Sequence, residues 1–210
     1  MKKENVEKKI SAGLVILATG RQPVKPEGIE KLGLNMDNKG NIIVDDGMRT
    51  NIQNVFATGD VNGKAPYFHA AVRMSIAAAN NIMSKYFNTD YVDIKSIPVT
   101  VFAFPPASYV GLTGSELKKR GIEYIEASYD LSKDVEGQVY EEDFGKLKLF
   151  FEKGTLRLLG GWVVGINAET IINEIGLAVS KELTARDLAN FAEQHPITNE
   201  LISYTARKIL

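Results

Sequence analysis

"GKLKLFFEKGTLRLLGGWVVGINAETIINEIGLAVSKEL", residues 145–183, decides the fold. "GKLKLFFE" (145–152) and "LRLLGGWVVG" (156–165) are apolar, strand-like runs separated by a turn at Lys153 and Gly154. Two strands joined so briefly pair antiparallel. In "AETIINEIGLAVSKEL" (168–183) the apolar residues recur at helical spacing, so an amphipathic helix follows the hairpin and covers one of its faces. Trp162, the only tryptophan, falls in an apolar strand pattern and is expected in the core.

Outward from this unit the pattern continues in both directions. "SYVGL" (108–112) is a strand, and Thr113 with Glu116 three residues later forms a capping box for the short helix "GSELKKRG", closed by Gly121. Its basic end, Lys118, Lys119 and Arg120, suits a helix C-terminus. "IEYIEASYD" (122–130) adds a strand, "TARDLANF" a short helix starting at Thr184, and "NELISYTARKIL" a last helix. Upstream, "YVDIKSIPVTVFAFPP" turns β-branched and proline-rich, which sets a boundary near residue 95. Residues 95–210 therefore predict a self-contained α+β domain with an antiparallel sheet and flanking helices.

Before that boundary, the apolar run Leu14–Ala18 predicts a buried strand. Residues 39–45, "KGNIIVD", and the stretch "NVFATGDV" from Asn54 predict two more. The alanine-rich stretch from His69 to Phe87 predicts a helix thin enough for a sheet to lie close against it.

Composition excludes several functions. A formal net charge of −1 favours no polyanionic partner, so nucleic acid is not expected. The absence of cysteine rules out a disulfide framework, a thiolate metal site and dithiol chemistry carried by this chain itself, and no other metal site is expected. No apolar run approaches the roughly 18 residues of a membrane span, and "MKKENVEKKI" lacks the apolar stretch of a signal peptide. A cytoplasmic protein is expected.

Five motifs in order, "LVILATGRQP", "NIIVDDGMRTNIQNVFATGDV", "IPVTVFAFPPASYVGLTGSELKKRG", "LLGGWVVGINAETIINEIGLAV" and "HPITNE", resemble the C-terminal part of the flavoprotein disulfide reductases, the pyridine nucleotide-disulfide oxidoreductases, nearest to their dihydrolipoyl dehydrogenase branch. The resemblance covers nearly the whole chain. It implies that residues 1–20 are the tail of a nicotinamide domain, 21–94 the returning segment of an FAD domain, and 95–210 a dimerisation domain. The family's glycine-rich diphosphate turns and its Cys-x4-Cys redox pair are missing, so the chain is expected to be the C-terminal portion of a larger enzyme, inactive alone.

By that resemblance, Asp60, with Gly59 beside it, accepts hydrogen bonds from the ribityl chain of FAD. Phe68, His69 and Ala70 open a helix whose N-terminus faces the pyrimidine edge of the flavin, where free N–H groups favour negative charge; the His69 side chain itself need not be catalytic. Gly20 and Arg21 match a structural junction. The resemblance makes His195 of "HPITNE" a base that takes a proton from the dithiol in the other subunit's active site, with Glu200 orienting the ring. The competing explanation is a helix entrance. Ile197 stands where the family has threonine, so a reciprocal capping box between 197 and 200 is impossible, and Thr198 is left to cap the last helix.

The resemblance implies a homodimer, FAD and NAD as cofactors, and a dithiol substrate such as dihydrolipoamide. Leu201, where glutathione-specific relatives have a second acidic residue, favours the lipoamide side over a glutathione-reductase-like activity. Gly114 replaces a common acidic residue, and the tyrosine-threonine usual before the proline is absent. A third possibility is a non-catalytic dimerisation module from a truncated gene.

Overall fold

The computed structural model describes residues 9–85, 89–142 and 144–210. In chain order its regular elements are α1 (Phe68–Met83), β1 (Val99–Val101), β2 (Ala107–Gly111), α2 (Gly114–Lys119), β3 (Tyr124–Asp130), α3 (Val135–Val139), β4 (Gly145–Glu152), β5 (Leu158–Gly165), α4 (Ala168–Ser180), α5 (Ala185–Ala189) and α6 (Leu201–Arg207). Single 3-10 turns lie at Ile29–Leu32, Gly59–Asn62, Ile94–Ser96, Leu131–Lys133 and Thr198–Glu200.

The strands form one antiparallel sheet in the order β1-β2-β5-β4-β3. The hairpin register places Leu147 opposite Val163 and Leu149 opposite Gly161. Because successive side chains point to opposite faces, Val110, Leu147, Leu149 and Val163 share the face that α4 and α6 cover with Ile171, Ile172, Ile175, Leu201 and Ile202. The turn is longer than the Lys153–Gly154 pair: Glu152 N–H donates to the Arg157 carbonyl, and Leu156 adopts φ 59°.

Trp162 is not in that core. Alternation sends it to the opposite face, where it is half-buried and the Lys148 ammonium lies 5.4 Å from its ring centroid. That face is partly closed by α2. Thr113 and Glu116 form the expected capping box, and the helix start packs at Gly114 against Phe150, whose ring meets Tyr124 edge-on at 5.7 Å. Gly111 ends β2 at φ 74°; a Cβ there would stand 2.4 Å from the Leu159 carbonyl oxygen, so only glycine permits β2 to lie this close to β5.

A second buried cluster forms around α1. Ala70, Met74, Ala77 and Ala78 pack on Ile42, Val44, Met48, Ala57 and Val92. The small side chains admit irregular backbone, not the sheet expected from the sequence. Residues 39–45 and the stretch from Asn54 form no strands and contribute only the isolated bridges Met36–Ile42 and Arg49–Phe56. The Asn81 side chain donates to the carbonyls of Gly47 and Asp90 and accepts from the N–H groups of Thr89 and Asp90, fastening the segment that leaves α1. The helix ends at Met83, and Phe87 lies outside the described residues.

The expected strand Leu14–Ala18 is likewise absent. Leu14, Val15, Ile16 and Leu17 are 75–84% exposed. An all-apolar strand is buried by neighbours on both sides and on both faces, and no described strand pairs with this run. No helix among the described residues is long and apolar enough to cross a membrane.

Candidate functional site

His195 and Glu200 meet. The loop after α5 delivers the histidine through a cis His195–Pro196 peptide, and the 3-10 turn Thr198–Glu200 brings the carboxylate back beneath it. His195 Nδ1 lies 2.9 and 3.1 Å from the two Glu200 oxygens. The imidazole is 64% exposed, whereas the Glu200 side chain is only 11% exposed. The carboxylate also accepts the Tyr204 hydroxyl at 2.9 Å and the Ile197 N–H at 3.3 Å. Burial disfavours its charge, but the bonds from Tyr204, His195 and Ile197 outweigh that penalty and hold it below the usual glutamic acid range. An ionised carboxylate only accepts, so Nδ1 carries the proton and the lone pair sits on Nε2.

The turn itself is held from a distance. One oxygen of Glu136, on α3, accepts both the Thr198 N–H at 2.6 Å and its hydroxyl at 2.7 Å. Asn167, at the entrance of α4, donates to the same hydroxyl at 3.2 Å, and Asn199 donates to Glu174 at 2.7 Å. Thr198 is therefore a fully buried anchor and not the N-cap anticipated from the sequence. Ile197 holds the N-cap position; its side chain accepts nothing, but Glu200 still supplies the other half of a capping box by bonding the Ile197 N–H. Glu136 is 62 residues from Thr198 and left no local trace in the sequence. Tyr204 had one: it follows Glu200 by four residues, on the same side of a helix.

The second group of predicted residues gathers at the entrance of α1. Gly59 and Asp60 open their 3-10 turn, with Gly59 at φ 77° and its missing Cβ within 3.3 Å of the Ala71 side chain. Asp60 is partly exposed, 4.0 Å from Arg21, which also donates to the Pro66 carbonyl. Ala70 is fully buried and Phe68 is 85% exposed. His69 places Nε2 2.8 Å from the Pro98 carbonyl oxygen and stacks on Tyr67 at 5.7 Å, a tether consistent with a structural side chain. No side chain caps the N-terminus of α1. A cleft of about 700 Å³, lined by Gly20, Arg21, Asp60, Gly63, Pro66 and Tyr67, opens beside it. Among the described residues no hydrogen bond or ion pair links this group to His195 and Glu200. Nor is any group of three or more His, Asp or Glu placed to hold a metal ion.

An antiparallel sheet backed by helices, preceded by an irregular segment packed around one long helix, defines the class. Residues 97–206 match the family described as "Pyridine nucleotide-disulphide oxidoreductase, dimerisation domain", and residues 2–75 match "Pyridine nucleotide-disulphide oxidoreductase". The chain belongs to this family. Among its relatives are the dihydrolipoyl dehydrogenases of Vibrio parahaemolyticus, 36% identical over 91% of this chain and 40% of the relative, and of Geobacillus stearothermophilus, 33% identical over 97% and 43%. The chain thus spans about two-fifths of the length of these relatives. Similar folds occur in LpdA from Mycobacterium tuberculosis, with a TM-score of 0.81 at 23% identity over 87% of this chain and 39% of that one, and in the HOCl-induced flavoprotein disulfide reductase RclA from Escherichia coli, with a TM-score of 0.78 at 21% identity over 92% and 44%.

Proposed function

We propose that the chain is the C-terminal portion of an FAD-dependent, NAD-linked dithiol/disulfide oxidoreductase of the dihydrolipoyl dehydrogenase type, acting in the cytoplasm as a homodimer. In this reading residues 1–20 end the nicotinamide domain, 21–94 return to the FAD domain and 95–210 dimerise. The observation that carries it is the His195–Glu200 pair: an exposed imidazole whose inner nitrogen is held by a buried carboxylate. A helix entrance needs no such ring.

The chemistry follows from the geometry. Nε2 takes a proton from the thiol of a substrate such as dihydrolipoamide, Glu200 stabilises the imidazolium, and the resulting thiolate attacks a disulfide sulfur, releasing the other sulfur as thiolate. The chain has no cysteine, so that disulfide belongs to residues outside it. FAD, when bound, carries the electron pair between the dithiol product and the nicotinamide. The residues at the α1 entrance fit such a group: Asp60 offers an acceptor, Gly59 removes a Cβ, and the first-turn N–H groups of Phe68, His69 and Ala70 favour negative charge.

The test is turnover in an enzyme completed with its N-terminal part. His195→Gln should lower dithiol oxidation by a factor on the order of 10² to 10⁴, while direct flavin reduction by NADH survives. Near-normal dithiol turnover in the His195→Gln homodimer would overturn the reading.

A further inference from the structure

Glu200 does not rest on His195 alone. The Tyr204 hydroxyl, one helical turn further along α6, donates to Oε1 at 2.9 Å, while the imidazole approaches both oxygens. We infer that Tyr204 is a positioning residue of the proton-accepting group: it sets the proton affinity of His195 through Glu200, and the functional unit is His195–Glu200–Tyr204. This rests on His195 being the base.

A donor on a carboxylate disperses its charge and lowers its basicity. A less basic carboxylate pulls less strongly on the imidazolium, so His195 releases its proton more readily. Tyr204 is fixed for this task from several sides. Its ring packs on Tyr129 of β3 at 6.0 Å, and the Arg207 guanidinium lies 5.5 Å from its centroid. Lys208 covers the far ring, Tyr129, at 4.4 Å. The bond to the anion pushes the Tyr204 hydroxyl above the usual phenol range, so it stays a donor at neutral pH.

Other charged groups press on the same place and must be separated. Glu136 of α3 and Glu174 of α4 are committed to Thr198 and Asn199. Glu193, in the loop before His195, is driven upward by burial, opposed by a bond with Ser203, and raised further by Glu174.

The chain has only two histidines, so imidazole titration by NMR resolves each one. Tyr204→Phe keeps the ring and its packing while deleting the donor. It should raise the His195 midpoint by about 0.5 to 1 pH unit, a roughly threefold to tenfold higher proton affinity, and should raise the Glu200 carboxyl midpoint as well. His69 should not move. Tyr129→Phe, which removes no bond to Glu200, should leave His195 unchanged, and Glu193→Gln should not abolish the Tyr204→Phe shift. In the completed enzyme the acid limb of the pH–rate profile should move upward by the same amount. Unchanged His195 and Glu200 midpoints in folded Tyr204→Phe would overturn the inference. If that variant does not fold, Glu200→Gln decides: a Tyr204 hydroxyl whose ionisation midpoint falls in that variant sustains the link, and one that does not move overturns it. The titration needs no turnover, so an active His195→Gln enzyme would sink the base assignment separately.

Discussion

Replacing Glu136 with alanine removes a clamp that lies outside the proposed reacting groups. Thr198 is fully buried and gives its N–H at 2.6 Å and its hydroxyl at 2.7 Å to one Glu136 oxygen. Glu136→Ala strips both donors of their acceptor. A buried donor without a partner costs about 1–3 kcal/mol, and water can enter beside one of the two, so the expected loss is about 3 kcal/mol. For a chain of this length that lowers the midpoint of thermal unfolding by about 6–12 °C. Glu136→Gln retains one carbonyl oxygen and should cost only about 1 kcal/mol. The single tryptophan, Trp162 on β5, reports unfolding of the sheet by fluorescence. Combining Glu136→Ala with Thr198→Ala should reveal a coupling of about 1–2 kcal/mol, because the second change removes a group already orphaned. A Glu136→Ala chain within about 0.5 kcal/mol of the unaltered one, with additive double-mutant behaviour, would refute the clamp; surface changes fall in that range.

Acid should destabilise the chain partly through Glu200. Its folded pKa is lowered from the ordinary glutamic acid value by the bonds from Tyr204, His195 and Ile197, so its contribution is present above the unfolded pKa and lost as pH falls through the folded one; Glu200→Gln should flatten this part of the stability–pH curve, and an unchanged slope would count against it. Gly111→Ala should lower stability by several kcal/mol, since it combines φ 74° with a 2.4 Å contact to the Leu159 oxygen; a melting point within 2 °C of the original, on the scale of roughly 2–4 °C per kcal/mol, would contradict the packing. The 210-residue chain should not retain FAD through gel filtration, because Asp60 and the α1 entrance hold only part of such a ligand. Stoichiometric flavin absorbance in the protein peak would reverse that expectation.

Local chemistry made much of the second half legible. The short connection between 145–152 and 156–165 lets β4 and β5 pair only antiparallel, and the Thr113–Glu116 box forms from residues three apart. The five motifs placed the chain in its family because their order spans the whole length. His195 and Glu200 were singled out together because "HPITNE" resembles the family string, and the structure sets Nδ1 2.9 Å from the carboxylate.

What remained hidden depends on neighbours remote in sequence. Leu14–Ala18 has the composition of a buried strand, yet composition carries no partner strands, and without them the run lies exposed. Trp162 sits in an apolar stretch, but which face it takes follows from the register with Leu147 and Leu149, which sends Gly161 and Val163 inward and the indole outward. Glu136 and Thr198 carry no mark of each other; only the packing of α3 against the last turn brings them together. The sequence by itself determined the elements with a local hydrogen-bond or hydrophobic period, together with the family and the candidate pair. Tertiary structure decided burial, facing and the support of that pair, because those are properties of contacts between segments that the chain's own periodicity does not encode.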